Sequence, residues 1–250
     1  FLVFMNSSGI TTTIDFREKA PLKATPNMFL DESGTLTKGK NLSGKVATVN
    51  HIGAKSIGVP GTVAGLYLAH QKYGSLPWSD LVQPAIDIAE NGFPLTWSLL
   101  QAAKYFDTNS PIPFLRDYFK KDNGRLTQFE ELWKQPELAN TLSEIRDHGQ
   151  DGFYKGVVAA EIVRFMEKNG GIITMEDLQR YTAVEREPIK GTYKDYEIYS
   201  MPPPSSGGVA LIEMMNLMEF ADLDSIEFNS TAYVHLLAEI MRRAFADRAE

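Results

Sequence analysis

Thr12-Thr13-Ile14-Asp15-Phe16-Arg17-Glu18-Lys19-Ala20-Pro21 carries an arginine out of an alternating, strand-like segment and then stops at a proline. Upstream, Phe1 to Asn6 is apolar and β-prone, Ser7-Ser8-Gly9 is a turn cluster, and Ile10 to Phe16 alternates again. Residues 1–17 are therefore predicted to form a β-hairpin with Arg17 at a strand end. A guanidinium fixed there can grip a carboxylate with two parallel hydrogen bonds, and hydrogen bonds to charged groups are worth about 1.5–3 kcal/mol. The other reading is a surface pair of Arg17 with Asp15 or Glu18, worth about 0–1 kcal/mol. Local sequence leans to the surface pair and leaves both open.

Outward from this hairpin the chain alternates between helical and extended patterns. Ser56-Ile57-Gly58-Val59-Pro60-Gly61 fits a tight entry into a helix over Val63 to Lys72, apolar on several sides like a buried helix. Leu81 to Glu90 is a second helix, ended by Asn91-Gly92 with Pro94 beyond. Residues 97–150 suggest short helices of mixed charge facing solvent. Val158, Ile162, Phe165 and Met166 recur at helical spacing until Gly170-Gly171, and Thr174-Met175-Glu176-Asp177 resembles a capping box. Pro188 to Met201 switches period around Lys194-Asp195, which predicts a hairpin. Met201-Pro202-Pro203-Pro204-Ser205-Ser206-Gly207-Gly208 forbids helix and then opens one over Val209 to Phe220, apolar nearly all round and so expected to be buried between layers. Ser205 or Ser206 either caps that helix or leaves amides able to hold an anion; capping is the favoured reading. With no repeat or low-complexity linker, residues 1–250 are expected to form a single domain.

Composition narrows the function. A chain of 250 residues, 43% hydrophobic and 23% charged, buries a large core, and a net charge of −7 without basic–aromatic runs argues against nucleic acid. No apolar stretch reaches the roughly 18 residues of a membrane span. With no cysteine, disulfides, thiol catalysis and cysteine metal sites are excluded. His51, His70, His148 and His235 are scattered without metal-ligand spacing, and neither a nucleophile elbow nor a phosphate loop is present. No metal or other cofactor is expected. Glu239, Arg242, Arg243, Asp247 and Arg248 read as a solvated face of the last helix.

Asp15-Phe16-Arg17-Glu18 ending at Ala20-Pro21, Gly58-Val59-Pro60-Gly61 with Gly65, Leu76-Pro77-Trp78 with Pro84-Ala85-Ile86 and Gly92-Phe93-Pro94, Met201 to Gly208, and Ala246-Asp247-Arg248 stand in one order along the chain. Together they resemble the large subunit of γ-glutamyltranspeptidases. The resemblance implies an α+β fold, the four-layer αββα sandwich of N-terminal-nucleophile hydrolases, of which this chain is the large-subunit portion. It also implies a precursor that cuts itself, a small-subunit partner whose new N-terminal threonine attacks a γ-glutamyl amide, and an extracytoplasmic location. Arg17 falls where the family binds the substrate's α-carboxylate. No catalytic residue is expected in this chain: Thr11, Thr12 and Thr13 have no exposed amine, and Gly207 and Gly208 inherit no role, because the family's oxyanion glycines belong to the small subunit. Both ends look cut, so the chain is expected to be catalytically incomplete. Related readings are an acylase acting on glutaryl-type groups, a poly-γ-glutamate-cleaving enzyme, and a non-enzymatic binding or assembly relative.

Overall fold

The computed structural model describes residues 1–40, 46–51, 53–109, 116–121, 123–221 and 223–249. In chain order the strands are β1 (Leu2–Met5), β2 (Thr11–Asp15), β3 (Lys38–Lys40), β4 (Val46–Thr48), β5 (Phe93–Pro94), β6 (Leu132–Trp133), β7 (Val184–Arg186), β8 (Ile189–Tyr193) and β9 (Tyr196–Ser200). The α-helices are α1 (Thr62–Tyr73), α2 (Trp78–Asn91), α3 (Trp97–Asn109), α4 (Pro136–His148), α5 (Asp151–Tyr154), α6 (Gly156–Asn169), α7 (Met175–Gln179), α8 (Ser206–Glu219) and α9 (Thr231–Asp247). The chain groups into two compact units, Phe1–Arg17 with Ala183–Glu250, and Glu18–Thr182. Because the first is assembled from both ends of the chain, no single linker marks the division.

In the first unit the predicted hairpin is present, with Leu2 opposite Ile14 and Met5 opposite Thr11. Its turn is tied by the Asn6 side chain, whose Oδ1 accepts from the amides of Ser8 at 3.0 Å and Ile10 at 2.9 Å. The sequence pattern missed β7, a short exposed strand pairing antiparallel with β2, with Thr13 opposite Arg186 and Asp15 opposite Val184. It makes β2 the middle strand of the order β1-β2-β7. Thr13, Ile14 and Asp15 are all buried as a result.

The second predicted hairpin, β8–β9, turns at Lys194, which takes a left-handed φ of 50° and donates its amide to Glu219 Oε1 at 2.6 Å. Helix α8 packs on this hairpin. The contact is close enough that a Cβ on Gly208 would run into the Met201 carbonyl and come within 2.9 Å of Ile189 Cδ1 and Ser200 Oγ. The expected burial of Val209 to Phe220 is not found in this chain: Val209 is exposed and Phe220 is 90% exposed, leaving Gly208 as the buried position of the helix. Nearly all-round apolarity gives α8 no face that its neighbours in this chain fully cover.

The second unit is mainly helical. Helices α2 and α4 pack through Ile86, Ala89 and Ala139, and Trp78 Nε1 donates to the Ile145 carbonyl at 2.8 Å. Residues 97–150 differ from the solvent-facing expectation. Leu95, Leu100, Ala103, Phe119 and Trp133 form a buried cluster, with Phe119 stacked on Trp133 at 4.7 Å. Mixed charge hid it, because charged residues are interspersed with these apolar ones along the segment, and Leu95, Phe119 and Trp133 lie outside its helices. In α1 the buried positions are Ala64 and Gly65, while Leu66 is exposed, so that helix too is less covered than its composition suggested.

Replacing Gly208 by Val forces a branched side chain against a carbonyl oxygen and should lower unfolding free energy by about 1–3 kcal/mol. Ser205→Ala removes only a weak cap and should cost about 0.5–1 kcal/mol. Urea unfolding of the two mature variants checks the order; equal midpoints would refute the close-packing account of Gly208.

Candidate functional site

The site candidate from sequence is Arg17. It lies two residues beyond the end of β2, not within the strand, and is exposed. The residue that holds it is Asp15. At the last position of β2 its carboxylate is buried and splits its two oxygens: Oδ1 accepts the Arg17 backbone N–H at 3.0 Å, and Oδ2 accepts Arg186 Nε at 2.9 Å. An aspartate bonding the amide two residues on is a local turn device, and here it carries the chain out of the sheet. Arg186 stands opposite Thr13, so its side chain reaches Asp15 diagonally across the antiparallel pair, within the reach of a long side chain. The Thr13 hydroxyl also donates to the Arg186 carbonyl at 2.7 Å. Asp15 therefore serves as a buried clamp between β7 and the Arg17 backbone.

Beyond Arg17 the chain is fastened within the second unit. Lys19 and Val59 exchange backbone hydrogen bonds at 3.1 and 2.8 Å. A Cβ on Gly58 would stand 2.9 Å from Glu18 Cγ, so the glycine lets the two segments close. This gives the Gly58-Val59-Pro60-Gly61 motif a second use besides its entry into α1. The Lys19 ammonium lies 4.9 Å above the Tyr181 ring and donates to the Thr182 carbonyl at 2.8 Å. Tyr154 stacks on Tyr181 at 5.6 Å, donates its hydroxyl to the Pro60 carbonyl at 2.8 Å and accepts the Ala64 amide at the start of α1. Burial pushes the Tyr154 hydroxyl pKa up, which keeps it a donor.

Three residues after Lys19, at Leu22, Asp177 completes the fastening. The predicted capping box is formed: Thr174 caps α7 and Asp177 returns a bond to the Thr174 amide at 2.7 Å. Its other oxygen accepts the Leu22 amide at 2.6 Å. Burial raises the Asp177 pKa, but the bonds from the Thr174 hydroxyl and from the Leu22 and Thr174 amides outweigh that, and the net direction is down.

The other sequence candidates make local contacts of their own. The Ser205 hydroxyl accepts the Gly207 amide at 3.4 Å at the start of α8, which is the capping reading. His70 Nε2 contacts the Leu76 carbonyl at 2.8 Å, and His148 lies 3.8 Å from Glu144. Among the described residues no group of three or more histidine, aspartate or glutamate side chains is placed to hold a metal ion. No helix of the described residues is long and apolar enough to cross a membrane. Sequence reasoning missed Arg186 as a support of Asp15 and so of Arg17, and Lys19 and Asp177 as fastenings of the second unit. Only the Asp15-x-Arg17 spacing carried a local signal.

Comparison with known proteins matches the family described as Gamma-glutamyltranspeptidase over residues 1–250. The chain is 41% identical to the glutathione hydrolase proenzyme of Escherichia coli, covering 100% of this chain and 42% of that protein. It is 36% identical to an acylase, Acylase ACY 1 proenzyme, of a Pseudomonas strain, over 97% of this chain and 43% of that protein. Its α+β fold superposes on the crystal structure of Helicobacter pylori gamma-glutamyltranspeptidase with a TM-score of 0.90 and 41% identity, over 99% of this chain and 69% of the other. The chain thus spans less than half the length of the curated relatives it matches.

Asp177→Asn should cost about 1–3 kcal/mol at neutral pH, since whichever way the amide turns, its NH2 faces the Thr174 or the Leu22 N–H and leaves a buried donor unmade. The wild-type carboxylate, depressed in the folded state, stabilises fully above its unfolded pKa of about 3.9, and that contribution is lost as pH falls through the lower folded value. Stability against pH should therefore drop less steeply below about pH 4 in Asp177→Asn than in wild type; parallel acid limbs would contradict this.

Proposed function

The chain belongs to the gamma-glutamyltranspeptidase family, and from that premise we propose that it is the large-subunit part of an enzyme that cleaves γ-glutamyl amides, glutathione among them, and passes the γ-glutamyl group to water or an amine. A γ-glutamyl group carries a free α-carboxylate and α-amine beside the bond to be broken, so selection requires a fixed cation. Arg17 is that cation. What carries the reading is the fixing of its backbone by the buried Asp15 carboxylate. An arginine held so is pre-organised for a two-bond grip on a planar carboxylate.

The nucleophile is the N-terminal threonine of a second fragment of the same precursor, and its own α-amine, with a reference pKa of roughly 7.7–8.0, takes the hydroxyl proton. Attack forms the acyl-enzyme and expels the amine; water or an acceptor amine then resolves it. The relatives' names as proenzymes support a processed precursor. The small-subunit partner is supported by the apolar surface that the first unit leaves open at Val209, Phe220, Phe228 and Phe245. Obligate interfaces of this kind commonly bury more than about 2,000 Å². With that fragment residues 1–250 form one domain, and the enzyme works outside the cytoplasm; its likeness to glutathione hydrolase proenzymes supports that location. A second reading, an acylase of the same fold acting on glutaryl-type groups, is favoured by the resemblance to the Pseudomonas acylase; Arg17 would bind the distal carboxylate there.

In the complete mature enzyme, Arg17→Lys keeps the charge and loses the fork. It should lower kcat/KM for a γ-glutamyl anilide by a factor on the order of 30–1000, equivalent to about 2–4 kcal/mol of transition-state binding. A wild-type value would remove Arg17 from the site. Residues 1–250 expressed alone should expose apolar surface to a hydrophobic dye and unfold without cooperativity. A soluble, cooperatively unfolding monomer would refute the partner proposal.

A further inference from the structure

Arg186 has no place in the family resemblance, yet the sheet brings it to the residue that holds Arg17. Edge strand β7 supplies this guanidinium across 171 residues of sequence to Asp15. Asp15 is 8% exposed, and the two hydrogen bonds to its carboxylate already named run to two different parts of the chain. A carboxylate at a strand end has a free χ2 torsion unless something fixes its plane, since such sp³–sp² torsions are broad. The Arg186 Nε–H fixes it by engaging Oδ2, which aims Oδ1 at the Arg17 amide. Arg186 is itself held, because the Thr13 hydroxyl donates to its carbonyl and Thr13 is fully buried. The chain of contacts is continuous: the Thr13 hydroxyl to the Arg186 carbonyl, the Arg186 Nε–H to Asp15, and Asp15 to the Arg17 N–H.

We propose that Arg186 is a positioning residue for substrate recognition: acting through Asp15, it sets the backbone of Arg17 so that the Arg17 guanidinium meets the substrate's carboxylate in a fixed orientation. The inference rests on Arg17 being the carboxylate receptor, and it adds that receptor's dependence on the β2–β7 pairing. Arg186 does not touch the substrate. Its removal lets the Asp15 carboxylate rotate and weakens the hydrogen bond that the Arg17 N–H donates to it, so substrates are bound less well while the attack and acyl transfer, performed elsewhere, proceed once they are bound. The loss falls on KM rather than kcat, and only for substrates that carry the α-carboxylate.

The experiment uses the complete mature enzyme and two anilides, γ-glutamyl anilide and its counterpart lacking the α-carboxylate, 4-aminobutanoyl anilide. Arg186→Gln is expected to raise KM for the first about tenfold with kcat within twofold, and to change kcat/KM for the second less than twofold. In an Arg17→Lys background Arg186→Gln should cost little more, because the receptor it positions is already gone. If the Arg186→Gln precursor does not mature, Arg186→Lys, which keeps a cation for Asp15, should show a smaller loss with the same dependence on the carboxylate. Equal losses on both anilides, or a full additional loss in the Arg17→Lys background, would reduce Arg186 to a stability role and overturn the inference while leaving the receptor standing. Equal losses on both anilides for Arg17→Lys alone would overturn the receptor reading, and the positioning role with it.

Discussion

The carboxylate of Asp15 holds together what the rest of the structure needs. It is buried at the end of the middle strand, where an unpartnered charge is costly, and hydrogen bonds from Arg186 and from the Arg17 amide offset that cost. Each partner lies on a different side of a structural problem. Arg186 belongs to a short, exposed edge strand from late in the chain, and Arg17 to the segment where the chain leaves the sheet. One side chain therefore closes the first unit and fixes the exit from it.

The second unit holds its own first residues by unrelated means. Lys19 is held by backbone bonds to Val59 and by its ammonium over Tyr181, and Leu22 by Asp177. None of these contacts involves the Arg17 guanidinium. On the proposed reading of Arg17 as a carboxylate receptor, this division of labour suits recognition. A receptor whose backbone is set by neighbours loses little conformational freedom when a ligand arrives, and the free energy of its hydrogen bonds appears as affinity. The surrounding motif residues, Gly58 and Pro60 among them, are explained by closeness of approach and by the Tyr154 hydrogen bond, with no chemical role of their own.

Charge explains why the support is built from buried carboxylates. Asp15 and Asp177 each accept backbone amides that would otherwise be unmade where the chain bends away from regular structure. A carboxylate offers two separately placed acceptor oxygens, so one residue serves donors arriving from two sides, whereas an amide side chain of equal size turns its NH2 toward one of them. The Asp177 pKa falls despite burial for the same reason: every donor around it favours the ionised form.

Local chemistry was legible in the sequence because it depends on neighbours in the chain. The period of 2 around Ile14, the turn at Lys194-Asp195, the Thr174–Asp177 capping box and the Ser205 cap all appear where the pattern put them, since each is set within a few residues. The motifs also carried the family. Only the tertiary structure decided that Arg186 reaches Asp15, that Leu95, Phe119 and Trp133 bury themselves within a stretch of mixed charge, and that Phe220 stays exposed. Pairing of strands 170 residues apart leaves no periodic trace in either segment, and the burial of an apolar side chain is settled by which surface comes to cover it, which no run of residues specifies alone.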